Sequence, residues 1–182
     1  RTKNIFIDNN VELILVNNGS TDNTKDIISE LINNYPHAKS INLEKNLGYG
    51  GGILKGLSHC KGEIIGWTHA DLQTDPLDCI KAFKKYENIS KGKNTFIKGN
   101  RKNRPINDQF FTFGMSLFET LLLRKLIYDV NAQPTIFPKE FFDSWINPPK
   151  DFSLDLYSYY LAKKNNYKVR RIRVDFIKRI SG

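Results

Sequence analysis

At 182 residues the chain is long enough for one domain with a real core and short for two. Apolar residues make up 40% and charged residues 26%, the composition of a folded globular protein, which argues against disorder. A formal charge of +9 points to a partner carrying phosphate: a nucleotide diphosphate, a nucleic acid or an anionic membrane surface.

The first residues, Arg1 to Asn10, lack the apolar stretch of a secretion signal. No run approaches the ~18 apolar residues that span a bilayer. Cys60 and Cys79 have no metal-type spacing, and two isolated thiols suit a reducing compartment. The expectation is a cytoplasmic protein, with any membrane contact made peripherally at the inner face.

Strand-like and helix-like segments then alternate. Leu13-Ile14-Leu15-Val16 is a short apolar run ending in Asn17-Asn18-Gly19, as a buried parallel strand would. Ser20, Thr21 or Asp22 can cap the helix that follows, whose apolar stripe is Ile27, Ile28, Leu31, Ile32 and Tyr35. Ser40 to Leu43 reads as a second strand. Gly48 to Gly52 reads as a turn leading into a small-residue helix with Ile53, Leu54 and Leu57. Glu63 to Trp67 is a third strand, a helix runs from near Pro76 to Tyr86, and Thr95 to Lys98 is a fourth strand. This rhythm predicts an α/β fold, a mostly parallel sheet with helices on both faces, in which ligands bind beyond the carboxyl ends of the strands.

Phe110 to Ile127 is helical in pattern and apolar almost all round, so it is expected to be buried, the alternative being a membrane interface. Ser153 to Lys164 is a further helix and Lys168 to Ile177 a late, basic strand. The chain shows no repeat, low-complexity tract or linker, and is expected to form one domain over residues 1–182.

Three polar clusters fall at the predicted strand ends. The third strand ends in Trp67-Thr68-His69-Ala70-Asp71-Leu72-Gln73. A carboxylate there either faces the crevice, where a divalent cation would bridge it to phosphates, or caps the helix near Pro76. Asn17-Asn18-Gly19-Ser20-Thr21-Asp22 offers side-chain amides to a base edge and also forms a polar turn into a helix. Asn46-Leu47-Gly48-Tyr49-Gly50-Gly51-Gly52 allows close backbone approach beside a helix N-terminus that favours negative charge. It resembles a dinucleotide fingerprint only loosely, because it follows the second strand rather than the first, and the nearest strand end about 20 residues on offers His69-Ala70-Asp71.

In this order and spacing the three clusters resemble the nucleotide-binding half of a family 2 glycosyltransferase. The resemblance continues through Lys98-Gly99-Asn100-Arg101, Asn131-Ala132-Gln133-Pro134-Thr135-Ile136-Phe137 and Phe152-Ser153-Leu154-Asp155-Leu156, covering nearly the whole chain. The polyprenyl-phosphate sugar transferases, of the dolichyl-phosphate mannose synthase type, are the most similar group, with a GT-A-type fold. The resemblance implies that residues 1–104 form a nucleotide-sugar-binding half and 105–182 an acceptor-side half. Asn17 or Asn18 would contact the nucleoside, and Gly48, Tyr49 and Gly50 would line the nucleotide pocket with His69, Ala70 and Asp71. His69 and Asp71 occupy the two acidic places of the family's DXD motif, so a divalent cation, Mn²⁺ or Mg²⁺, would be held by Asp71 with help from His69 or Gln73. Arg101 would reach the diphosphate, with Arg104 as a second contact, and Gln133 would lie near the sugar or acceptor. Asp155, at a helix start, would be the general base, or merely a favourable charge on the helix dipole.

Two departures stand out. His69 replaces the first acid of the motif, which bears on metal choice. The family's opening strand and its Pro-x-Tyr-Asn-Glu-like turn have no match, so the first strand is expected to be missing and the edge of the Leu13–Val16 strand open to self-association.

The implied function is inverting transfer of a sugar from a nucleotide-diphosphate sugar to an acceptor, a polyprenyl phosphate or a surface-polysaccharide precursor. A non-catalytic nucleotide-sugar binder is an alternative. A nucleotidyltransferase is another, but it would carry a basic glycine-rich loop after its first strand, and no basic residue follows Val16 until Lys25. A nucleic-acid partner is not expected, since the basic residues scatter and the aromatics cluster in apolar helices.

Overall fold

The computed structural model describes residues 11–71, 73–89, 94–102 and 106–175, with backbone alone at 86–89 and 106–113. The apolar run after Glu12 forms Leu13–Asn18 (β1), which pairs in parallel with Ala38–Leu43 (β2) across the helix Thr24–Ile32 (α1). Of the three candidate caps it is Asp22 whose carboxylate takes the amide of Thr24, the first helical residue, at 3.0 Å. Gly48–Leu57 (α2) packs on β1, and the expected turn at Gly48 is already its first turn.

Ile64–Trp67 (β3), Thr95–Lys102 (β4), Thr135–Pro138 (β5) and Lys168–Asp175 (β6) form a second sheet in the order β3-β5-β4-β6. β4 and β6 are parallel, and β5 is antiparallel to both its neighbours. Thus β3, β4 and β6 run one way and β5 alone opposes them, which is the mostly parallel sheet expected. β5 was not expected as a strand. Its four residues carry no alternation of their own, and all are buried between β3 and β4.

Alternation along β4 and β5 divides two cores. Phe96 and Phe137 lie on one face with Phe141 of Lys139–Asp143 (α5) and Tyr159 of Leu154–Lys164 (α6). Phe96 stacks on Phe137 and on Tyr159, with ring centroids 5.7 and 6.0 Å apart. Ile97 and Ile136 point the other way, toward Ala82 of Leu77–Ile89 (α3). Helices therefore cover both faces of this sheet.

The expectation of burial fails for the apolar helix, Ile106–Leu123 (α4). Leu117, Phe118, Leu121 and Leu122 are half or more exposed, as is Leu126 just beyond, while Ile127 is buried. The sheet surface is already covered by the core clusters, so these side chains find nothing to pack on among the described residues. No helix among the described residues is long and apolar enough to cross a membrane. Among those residues β1 is bonded to one strand, β2; the predicted open start falls on residues 1–10, outside them.

Candidate functional site

The carboxyl ends of β3 and β4 meet at a small pocket lined by His69, Asp71, Gln73, Thr74, Arg101, Asn131 and Gln133. Sequence reasoning named five of these; Thr74 and Asn131 it did not single out. Both stretches of the chain, before and after residue 104, thus contribute to one cavity. Asp71 is not the helix cap: its Oδ1 accepts the Gln73 amide at 3.1 Å, while Asp75 takes the Leu77 amide that opens α3. Asp71 Oδ2 lies 4.0 Å from His69 Nδ1. Ala70, between them, is exposed and outside the pocket lining.

Behind the pocket lies a buried polar network. Asp155, in the first turn of α6, is 1% exposed and Lys98 of β4 is fully buried. Asp155 Oδ1 accepts from Lys98 Nζ and from Gln133 Nε2, each at 2.9 Å. Its Oδ2 accepts from the Tyr49 hydroxyl at 2.5 Å, and that hydroxyl lies 2.7 Å from His69 Nε2. Thr135 Oγ1 accepts from Lys98 and donates to Gln133 Oε1. Burial pulls the Lys98 ammonium below its ordinary value, and Asp155 opposes that pull. Burial also lowers the His69 imidazole, outweighing Asp155 and Asp71. Tyr49 is pushed far up by burial and then by Asp155. An unpaired lysine could not stay charged in such a strand, so its partner is a structural necessity.

Arg101 lines the pocket with its guanidinium held by the buried Asp129, Nε to Oδ1 at 2.8 Å, and Asp129 Oδ2 also takes the Arg101 amide. The amide of Asp129 bonds Ser116 of α4, tying that helix to the site. Arg104 lies outside the described residues.

The two asparagines of β1 have their amides engaged within the protein. Asn17 is buried and bonds Asn42 and the Ser20 amide. Asn18 bonds Asn46 and the carbonyl of Gly48, and takes the Leu47 amide, so it fastens β1 to the start of α2. The close approach that the glycine run permits is made by residues 149–151. Gly51 donates to Lys150 O at 2.9 Å, and a Cβ at Gly50 would sit 2.8 Å from Pro149 O, Lys150 C and Asp151 O. Gly48 itself is exposed, at φ +79°.

Sequence reasoning missed Lys98 as a site residue, and with it Thr135 and Asp129. A lysine within the strand Thr-Phe-Ile-Lys-Gly was the available signal, since charge inside a buried run demands a partner. Nothing in the spacing identified that partner as Asp155, 57 positions away.

The donor set suits a divalent cation. Asp71 offers hard oxygens and His69 a borderline nitrogen, both part-exposed on the same pocket. Among the described residues no group of three or more His, Cys, Asp or Glu is arranged to hold a metal. Such an ion would complete its shell with Gln73, water or substrate phosphates.

This α/β arrangement is the GT-A-type fold of nucleotide-sugar glycosyltransferases. Glucosyl-3-phosphoglycerate synthase from Mycobacterium tuberculosis, solved with uridine diphosphate, superposes with a TM-score of 0.71 at 14% identity, over 94% of this chain and 61% of that one. The mannosyltransferase PcManGT from Pyrobaculum calidifontis, solved with GDP-Man and Mn²⁺, gives 0.64 at 16% identity, over 90% and 47%. The profile of glycosyl transferase family 2 matches residues 3–146, and the chain belongs to that family. A dolichyl-phosphate beta-glucosyltransferase of Trichomonas vaginalis, ALG5C, is 30% identical over 138 residues, 71% of this chain and 41% of that protein. A second from the same organism, ALG5A, is 30% identical over 57% of this chain and 34% of its own length. The chain thus spans about two fifths or less of these relatives.

Proposed function

We propose that this chain is the nucleotide-sugar-binding and catalytic part of an inverting glycosyltransferase that moves a sugar from a nucleotide diphosphate to a polyprenyl phosphate. The observation that carries the proposal is one pocket, at the strand ends where α/β sheets bind ligands, holding Asp71, His69 and Arg101 together. The family, and relatives named for dolichyl-phosphate glucosylation, support the donor and acceptor classes.

In this reading Arg101, aimed by Asp129, faces the diphosphate, and Gln133 faces the sugar. The acceptor oxygen attacks the anomeric carbon from the side opposite the diphosphate; the new glycosidic bond forms as the bond to the diphosphate breaks. A divalent cation held by Asp71 and His69 would neutralise charge on the departing diphosphate. Fixed charge placed where negative charge develops is usually the largest catalytic contribution. No general base is needed, because a phosphate oxygen is already ionised near neutral pH. The enclosure of Asp155 by three donors agrees with that, and fits it for positioning rather than for proton abstraction.

The exposed apolar face of α4, followed by the exposed Arg124 and Lys125, supports a peripheral contact with an anionic membrane, where such an acceptor resides. Among the described residues β1 is paired on one side, which supports edge-covering by a second copy or a further segment, read out as oligomeric state by light scattering.

The test is thermal-shift screening with UDP-, GDP- and dTDP-sugars, with and without Mn²⁺, followed by transfer assays on a short polyprenyl phosphate. Stabilisation by one donor and product on the phosphate are expected. No stabilisation by any donor would overturn the reading. Transfer to a free saccharide alone would replace the lipid acceptor by a polysaccharide precursor.

A further inference from the structure

The His69 imidazole has two nitrogens, and only one of them can be a ligand in a neutral ring that also donates a hydrogen bond. Its surroundings decide which. The Tyr49 hydroxyl carries a single proton. On one side it meets Asp155 Oδ2 at 2.5 Å, on the other His69 Nε2 at 2.7 Å. The Asp155 carboxylate, paired with the buried Lys98, only accepts. The phenol proton therefore goes to Asp155, and toward His69 the phenol oxygen can only accept. Neither nearby donor competes for that proton: the Gln133 amide bonds Asp155 Oδ1, and the Trp67 indole N–H has no hydrogen-bond partner among the described residues.

We infer that the chain Lys98–Asp155–Tyr49 fixes His69 as its Nε2–H tautomer and thereby aims a bare Nδ1 lone pair beside Asp71 as a cation ligand. Nδ1 and Asp71 Oδ2, 4.0 Å apart, are too far for a hydrogen bond to each other. Neighbouring ligands with metal bonds of roughly 2.0–2.2 Å stand about 3.0–3.5 Å apart, so the two atoms would have to close by up to about 1 Å to share one ion. Metal-bound histidines ordinarily have the second nitrogen held by a carboxylate or carbonyl; here a tyrosine relays the carboxylate. Tyr49 and Asp155 are positioning residues in this arrangement, acting through His69. The use of the cation rests on the glycosyltransferase reading above, but the tautomer does not.

The first measurement needs no variant. In the metal-free protein labelled with ¹⁵N-histidine, long-range ¹H–¹⁵N spectra distinguish protonated from bare ring nitrogens. His69 is assigned against His37 and His59 by its loss in His69→Gln. A protonated Nε2 and a bare Nδ1 are expected at pH 7.5; a protonated Nδ1 would overturn the inference. The second is Mn²⁺ affinity, measured by electron paramagnetic resonance with the metal alone. Tyr49→Phe should mix the tautomers and weaken Mn²⁺ about 10–100-fold. In a His69→Asp background the same change should leave affinity unaltered, because a carboxylate has no tautomer to fix. An equal loss in both backgrounds would show that Tyr49 acts only through packing, on Phe152 and the imidazole edge, and would sink the relay. A protein with the expected tautomer and Mn²⁺ affinity that binds no nucleotide sugar would overturn the proposed function and leave this inference standing.

Discussion

Replacing Lys98 by methionine keeps the length and apolar stem of the side chain and removes its charge and donors. The consequence falls on Asp155, which at 1% exposure would keep Gln133 and Tyr49 as donors and lose Lys98, its ionic partner among the described residues. Removing one member of a buried ion pair costs about 3–5 kcal/mol. For a domain of this size each kcal/mol moves the midpoint by roughly 2–4 °C, so Lys98→Met should melt about 6–20 °C lower at pH 7.5. Adding Asp155→Leu removes the stranded charge, and the double variant should be less destabilised than the two single changes summed, by about 1–3 kcal/mol. Urea unfolding of the four proteins at pH 7.5 measures both effects. A Lys98→Met protein within about 1 kcal/mol of the parent would refute the view that this pair carries the network.

Asp71→Asn should lose about 10²-fold or more in turnover with the circular dichroism spectrum unchanged, since one well-placed electrostatic contact typically costs that much; near-parental turnover would remove Asp71 from the site. Gly50→Ala should destabilise by about 1–3 kcal/mol in denaturant titration, because its Cβ would meet three backbone atoms of residues 149–151 at 2.8 Å and none of them is a flexible side-chain end. The lowered His69 means that the unfolded chain binds its proton first as pH falls, so stability should drop between the ordinary histidine value and the folded one. Comparing melting at pH 7.5 and 5.5 in the parent and in His69→Gln checks this; the variant should lose less.

Much of the fold was legible because local pattern and global position agree. The Leu-Ile-Leu-Val run, the Asp-Pro start of α3 and the buried stretch at Thr95 each say locally what the sheet demands. β5 was hidden because four residues cannot display a period, and its strand character comes from the two neighbours that bury it. α4 was misjudged for a related reason. An apolar helix states that it prefers not to face water, but not whether the rest of the chain offers it a surface. At the site, Asp71, His69, Arg101 and Gln133 were readable from motifs, while Lys98 and Asp129 answer to partners distant in sequence. Asp155 was singled out from its place at a helix start, which alone does not reveal that three donors close over its carboxylate.

The family profile ends at residue 146, whereas the network's central carboxylate and the backbone that clasps α2 lie just after it, at Asp155 and residues 149–151. The network behind the pocket is therefore closed by a stretch after the profile match, and its tolerance to changes in length is uneven. One residue inserted ahead of Asp155 within the first turn of α6 would swing the carboxylate by about 100° around the helix axis, away from Lys98 and Tyr49. The same insertion at the turn after Lys164 would leave every site atom where it is. Between the clasp and the acid, a change of sequence spacing thus becomes a change of angle.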